Sequence, residues 1–305
     1  MIQTIKQKNL WFTFSGLLVS VSIVAFAFWG LKLGIDFTGG SLMELRFPTT
    51  RPDNNQITES LSSLELGEVI VQPTGEQNVI LRFATIDETK HQQVLQTLVE
   101  KLSDLNNPAE AIFQEQRFDS IGPTIGQELR NKTIWAIGIV LCAIIAYVAW
   151  AFRKVSKPVA SWKYGVIAVI TLFHDVMITV GVFSILGHLY GTEVNATFAA
   201  SLLTILGYSV NDTIVIFDRI RENLIRRVGE AFEDTVQFSL NQVMTRSINT
   251  SLTVIMTLFA ILLLGGSTLR LFALSLIVGL SVGAYSSIFL ASPLLIVAQK
   301  LQTKR

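Results

Sequence analysis

The chain holds one cysteine, three histidines and seven prolines in 305 residues, and charged side chains make up only 15% of it. A single cysteine excludes an intrachain disulfide, and Cys142 lies inside an apolar run, where a packed side chain is the reading and not a reactive thiol. Three histidines and one cysteine leave most metal-ligand and nucleophile schemes short of parts. No HExxH, no Cys/His cluster of metal-ligand spacing and no phosphate-cradling Gly-rich loop occurs; Gly39–Gly40 lacks strand–loop–helix flanks and reads as a tight turn. No catalytic residue, metal or cofactor is therefore expected, and the chain does not read as an enzyme.

What is present is apolar. Half of the residues are hydrophobic, 19 of them Phe, where a soluble chain carries about a quarter charged residues. Six long apolar runs stand at 10–31, 133–152, 164–188, 196–218, 248–266 and 271–298, and about 20 apolar residues span a bilayer as a helix. The first run follows Lys6 and Lys8 as a signal peptide would, but it exceeds a usual signal core and carries Phe26, Phe28 and Trp29 where small residues mark cleavage. It reads as a retained first span.

Lys and Arg content sets the orientation. The N-terminus, the loop with Arg153, Lys154, Lys157 and Lys163, the 219–246 connector with Arg219, Arg221, Arg226 and Arg227, and the end with Lys300, Lys304 and Arg305 form one basic set. The opposite short loops carry little beyond Glu193 and Arg270. Both termini of this multi-pass membrane chain are expected in the cytoplasm. The expected division is 1–33 (N-terminus and first span), 34–130 (an extracytoplasmic domain) and 131–305 (spans two to six). The outer segment holds 7 basic against 15 acidic groups, a balance of −8, which argues against nucleic-acid binding.

That outer segment reads as α+β. Ser41–Phe47 alternates as a strand, Asn54–Leu64 suits a helix, and Glu68–Gln72 and Asn78–Phe83 read as strands across a Pro73–Gly75 turn. Asp87–Leu105 has helical spacing at Val94, Leu95, Leu98, Val99 and Leu102, with Asp87 as its N-cap, and a last strand lies near Ala111–Phe118. The order β-α-β-β-α-β is ferredoxin-like. The whole is a membrane all-α six-helix bundle carrying one extracytoplasmic α+β ferredoxin-like domain. Within the connector, Leu224, Ile225, Val228, Phe232, Val236 and Leu240 recur at helical intervals, which predicts a helix on the membrane surface or against the bundle.

Ionisable groups inside spans are costly and mark pathways. His174 and Asp175 lie near the middle of the third run; Asp212 lies in the fourth, six residues before Asp218 at its cytoplasmic end, or roughly 9 Å by helical rise. Arg246 opens the fifth run, and Asn249, Thr250, Thr253 and Thr257 continue a polar stripe expected to face the bundle interior. Asp212 and Arg246 then share a depth and have opposite charge, so pairing offsets the desolvation of each while a proton or ion competes for the carboxylate. A static brace is the alternative. Adjacent residues diverge by about 100° on a helix, so His174–Asp175 does not by itself imply a shared site. Asn211 satisfies groups across a helix interface in the same reading, and Gly207 and Ser209 serve close packing.

Four stretches together resemble the SecF family of bacterial protein-export membrane proteins, part of the RND-related SecDF group. They are Leu33–Gly40 (LGIDFTGG), Ile121–Leu129 with its Gly122–Pro123 and Gly126, Gly207–Asn223 (GYSVNDTIVIFDRIREN) and Thr245–Ser251 (TRSINTS). The resemblance implies a partner of the same six-span plan, SecD. It also implies accessory action on the SecYEG channel, further partners in YidC and YajC, contact with the translocating preprotein and membrane lipid, and proton flow that drives movement of the outer domains in late translocation. Residue by residue it assigns Asp212 and Arg246 to the proton pathway, in a bacterial plasma (inner) membrane; Asn211, Asn249, Thr250, Thr253, His174 and Asp175 are candidates in support from their place inside the spans alone. Gly39–Gly40 and Gly122–Pro123 are read as hinges of the outer domain, because Gly permits unusual backbone angles and Pro stops regular structure. Competing readings are half of an RND-type small-molecule exporter and a scaffold for membrane-protein insertion without ion coupling.

Overall fold

A computed structural model describes residues 4–48, 51–102, 113–151 and 159–303. The Ala111 start of the last strand and the cations Arg153, Lys154, Lys157, Lys304 and Arg305 lie outside the described residues. The chain divides into two compact units, Leu33–Thr133 and the combination of Met1–Lys32 with Ile134–Arg305.

The first unit is built on a four-stranded antiparallel sheet. Its strands are β1 (Gly40–Arg46), β2 (Ile70–Thr74), β3 (Asn78–Phe83) and β4 (Gln114–Ile121), in the order β2-β3-β1-β4. Alternation decides the faces: Met43 and Leu45 of β1 and Val79, Leu81 and Phe83 of β3 point into one core. Against it, α3 (Asn54–Leu61) buries Ile57 and Leu61, and α4 (Glu88–Leu102) buries Val94 and Leu98. Both helices begin at an aspartate: Asp53 accepts from the Asn55 N–H at 3.3 Å and Asp87 from the Lys90 N–H at 2.9 Å. The second strand extends through Pro73, placed by the sequence in the turn. It is an edge strand, where the missing N–H leaves no central ladder bond unmade.

Among the described residues, six helices of the chain are long and apolar enough to cross a membrane. They are α1 (Lys8–Trp29), α5 (Pro123–Ala151), α6 (Ser161–Tyr190), α7 (Ala196–Ile225), α8 (Phe232–Leu264), and the run formed by α9 (Ser267–Ser286), a π turn (Ser287–Ala291) and α10 (Ser292–Thr303). A short turn, α2 (Ile35–Thr38), precedes β1. Glycine in the left-handed region closes α6 at Gly191, and the Asn195 side chain caps α7 by accepting from the Phe198 N–H at 3.1 Å.

Within the membrane unit, α6, α7 and α9–α10 form the centre, with 61%, 56% and 50% of their most apolar stretches buried. For α5 the figure is 6%, so its Trp135, Ile139, Ile145 and Trp150 are left for lipid or a partner. Small residues let α1 close on this centre. A Cβ on Gly181 of α6 would lie 2.4 Å from the Ser22 Cβ of α1, a separation only glycine permits.

The 219–246 connector is not one helix. The fourth span continues to Ile225 and the fifth begins at Phe232, with Arg227 (φ 55°) and Gly229 (φ 92°) turning the chain between them. The apolar stripe is therefore divided: Val236 and Leu240 are buried at the start of α8, whereas Ile225 is 73% exposed. The break is stapled from within, as the Asn223 amide donates to Ser239 Oγ at 2.8 Å and to Gln242 Oε1 at 2.9 Å.

Candidate functional site

Two polar clusters lie in the apolar bundle, on different faces of α7. The first centres on Asp212, which is 6% exposed. Its Oδ2 accepts from Ser247 Oγ at 3.0 Å and from Ser251 Oγ at 3.4 Å, two serines one turn apart on α8. The sequence reading missed both, because serine is unremarkable in composition. Their signal was the i, i+4 spacing on the helix that follows Asp212.

Arg246 is adjacent to Ser247 and so points elsewhere. It is exposed on this chain and lines a cleft of about 410 Å³ with Asp218, Arg219, Glu222 and Gln242. Among the described residues no ion pair joins Arg246 to Asp212, which corrects the expected direct pairing: the carboxylate is held by neutral hydroxyls. Asn211 is exposed as well. Asn249, Thr250, Thr253 and Thr257 are all exposed, which corrects their expected place inside this bundle. The reason is angular. The serines at 247 and 251 take the inward face, and the polar stripe lies around the helix from them. Its threonines turn their hydroxyls onto their own backbone, Thr250 to the Arg246 carbonyl at 2.7 Å and Thr253 to the Thr250 carbonyl at 2.9 Å.

The second cluster centres on Asp175, fully buried, with His174 4% exposed beside it. Adjacency on a helix predicted divergence, yet His174 Nδ1 lies 2.8 Å from Asp175 Oδ1. Asp175 Oδ2 accepts from Ser209 Oγ of α7 at 2.5 Å and from Ser286 Oγ of α9 at 2.9 Å. Ser209 thus has a polar role beyond packing. A Cβ on Gly207 would meet nothing within 4 Å, so that glycine serves no close packing among the described residues.

The two glycine junctions of the outer unit pack on one another. Gly39 (φ 75°) and Gly40 (φ 122°) need angles other residues resist. A Cβ on Gly39 would lie 2.7 Å from the Pro123 Cα, and one on Gly126 would lie 2.8 Å from the Gly39 N. Gly122 has open space around it. One β1–β4 register, beginning at Gly40↔Ile121, ties the same junctions together.

Comparison with known proteins agrees along the chain. A family described as protein export membrane protein SecD/SecF, C-terminal, matches residues 101–301, and the SecD/SecF GG motif matches residues 24–47. A protein translocase subunit SecF from Thermobaculum terrenum is 40% identical over 97% of this chain and 93% of that relative. Its counterpart from Anaerolinea thermophila is 38% identical over 97% of this chain and 94% of the relative. Among solved structures, SecDF from Thermus thermophilus, a translocon-associated membrane protein, superposes with a TM-score of 0.80 at 30% identity over 96% of this chain. A super-membrane-facing form of SecDF gives 0.67 at 30% identity over 99% of it. This chain spans 38% and 39% of those two longer chains.

Proposed function

Because the chain belongs to the SecF family of protein translocase subunits, we propose that it acts with SecD to convert proton flow into assistance of late preprotein translocation through the SecYEG channel. The observation that carries the coupled reading is Asp212: a carboxylate buried inside an apolar helix and held by two serine hydroxyls. Hydroxyls can serve a charged or a neutral carboxyl, since each can donate or accept. A carboxyl so placed can gain and lose a proton without dismantling its surroundings, whereas one locked to a cation cannot.

The finer parts of the reading have their own supports. Arg246, exposed at the cleft, serves in this reading as the basic neighbour of the proton pathway, and Asn211 of α7 and Asn249, Thr250 and Thr253 of α8 are exposed polar groups for SecD to cover. His174 and Asp175 supply a second polar centre. The ferredoxin-like assignment of the outer domain is supported by its β-α-β-β-α-β chain order and its antiparallel strand order β2-β3-β1-β4. The Lys and Arg asymmetry supports cytoplasmic termini, and YidC and YajC are partners on the strength of the family alone. The joint formed by Gly39, Gly40, Gly122 and Pro123 is the pivot in this account.

The test is gradient-dependent export of a reporter by membrane vesicles. A potential of 100 mV supplies about 2.3 kcal/mol per charge moved across, enough to bias a two-state element. Asp212→Asn keeps size and hydrogen bonding, assembles with SecD and loses the response to the gradient; Asp212→Glu retains part of it. Vesicles carrying Asp212→Asn that still respond would leave the chain an uncoupled scaffold.

A further inference from the structure

The His174–Asp175 cluster is separate from Asp212 in geometry. Ser209 and Asp212 lie three residues apart on α7, but Ser209 faces Asp175 whereas Asp212 faces Ser247 and Ser251 on α8. Every oxygen of the Asp175 carboxylate is engaged: Oδ1 by His174 Nδ1, Oδ2 by Ser209 and Ser286. One polar atom of the cluster is left over. His174 Nε2 is buried and has no hydrogen-bond partner among the described residues. A buried nitrogen without a partner is costly, and native proteins rarely leave one without a purpose.

We propose that His174 Nε2 is the acceptor of a second proton-binding site, in which His174 and Asp175 together carry the proton and Ser209 and Ser286 hold the carboxylate. This deepens the proton-coupled reading and depends on it for any role in export, although proton binding itself does not. The donor set selects the ligand. Sodium and similar hard cations take several oxygen ligands, and the carboxylate oxygens here are already taken. The open atom is an imidazole nitrogen, a proton acceptor when neutral. An ionised carboxylate only accepts, so Nδ1 is the donor to it and Nε2 keeps its lone pair. A proton arriving there from water makes an imidazolium already in contact with its counter-charge, so no lone charge is buried. The proton returns to water when the site empties, and Nε2–H is the one bond made and broken.

The other groups that face the ring are neutral. From α9 it meets Tyr285, with ring centroids 6.2 Å apart. The Tyr285 hydroxyl is engaged by α1, 3.1 Å from Ser15 Oγ and 3.4 Å from the Trp11 carbonyl. From α7 the Ser209 hydroxyl bonds the carboxylate beside it. Among the described residues no other charged side chain bonds to the cluster. Its place in the fold also favours a working site. Ser286 stands directly before the π turn Ser287–Ala291, a wide turn frequent at functional sites. There Ser286 bonds Asp175 while the next residue, Ser287, lies 3.0 Å from Thr213 Oγ1 of α7.

The experiment is nitrogen NMR of the full chain with SecD in lipid, using protein labelled at its three histidines. Signals lost in His174→Gln assign the ring, and those of His91 and His188 report that each variant is folded. Over a window of falling pH, the unmodified protein is expected to show His174 Nε2 passing from lone pair to N–H. The Asp175→Asn ring stays neutral across that window, and Asp212→Asn titrates as the unmodified protein does. A His174 that stays in one protonation state in the unmodified protein overturns the site, and that measurement requires no substitution at Asp175. A titration unchanged by Asp175→Asn, or abolished by Asp212→Asn, overturns the shared and separate character claimed for it. A signal that moves with sodium at fixed pH makes the ligand a cation and overturns the proposal as well. Loss of the titration with the gradient response of export intact rejects this site and spares the export reading; the reverse result rejects the export reading and spares the site.

Discussion

Ser247 Oγ donates to Asp212 Oδ2 at 3.0 Å, and this bond joins α7 to α8. Ser251, at 3.4 Å from the same oxygen, is the weaker partner by distance. Ser247→Ala is therefore expected to destabilise the bundle by about 1 kcal/mol, with Ser251→Ala costing less. Thermal unfolding of the purified complex in lipid measures the order, and a reversed order would show that the interface is held by packing alone.

Arg246 stands beside this bond without entering it. If it serves the pathway from the cleft, charge position matters more than folding. Arg246→Lys keeps the charge but loses the planar fork, so it should reduce gradient-stimulated export several-fold while leaving the melting temperature unchanged. Arg246→Ala should reduce it further, again without loss of assembly. An Arg246→Ala variant that exports normally removes Arg246 from the mechanism.

The polar positions were legible in the sequence to different degrees. Asp212, His174 and Asp175 stand out because ionisable groups are rare in apolar runs. Their partners are serines, whose inward or outward direction depends on helix phase, and hydropathy does not carry phase. Arg246 shows the cost: one residue of phase separates it from the inward-facing Ser247. Helix ends were lost for a related reason. Apolar runs mark the part of a helix in hydrocarbon, so the run at 248–266 misses the first sixteen residues of α8 (Phe232–Leu264), which are polar yet helical. The outer domain was easier, since strand alternation at Met43 and Leu45 and the Asp87 cap are local signals.

Close packing predicts a matched pair of substitutions. A Cβ on Gly181 would lie 2.4 Å from the Ser22 Cβ, so Gly181→Ala should separate α1 from α6 at a cost of about 1–3 kcal/mol. Ser22→Gly removes the obstructing atoms and should recover part of that loss. A double-mutant cycle by thermal unfolding measures the coupling; additive effects would mean that α1 and α6 are not in contact in the membrane.

In the outer domain, Glu88 is held below the usual carboxylate range, chiefly by the Gln92 amide and then by His91. A carboxyl lowered on folding contributes stability above its unfolded value of 4.5 and loses it as the pH falls through the folded value. The first turn of α4 should thus exchange its amide hydrogens faster once the pH drops below about 4.5, and Glu88→Gln should remove that pH dependence. Glu88 is fully exposed, so the effect stays local to that turn. Equal acid sensitivity in Glu88→Gln would assign it to another carboxylate.

The glycine junctions separate packing from hinge motion. Gly39 and Gly126 press their backbones against Pro123 and Gly39, at separations of 2.7 and 2.8 Å for an added Cβ, whereas Gly122 faces open space. Packing alone predicts that Gly39→Ala and Gly126→Ala each destabilise the outer domain by about 1–3 kcal/mol, with Gly39 worse for its φ of 75°. It predicts that Gly122→Ala is silent in every assay. A pivot predicts something further, because restricting backbone freedom at Gly122 slows a motion without disturbing the resting fold. Gly122→Ala should then leave amide exchange of the outer domain unchanged while lowering gradient-driven export. If Gly122→Ala exports at the full rate, Gly122 is not a pivot, and movement of the outer domain has to originate elsewhere in the chain.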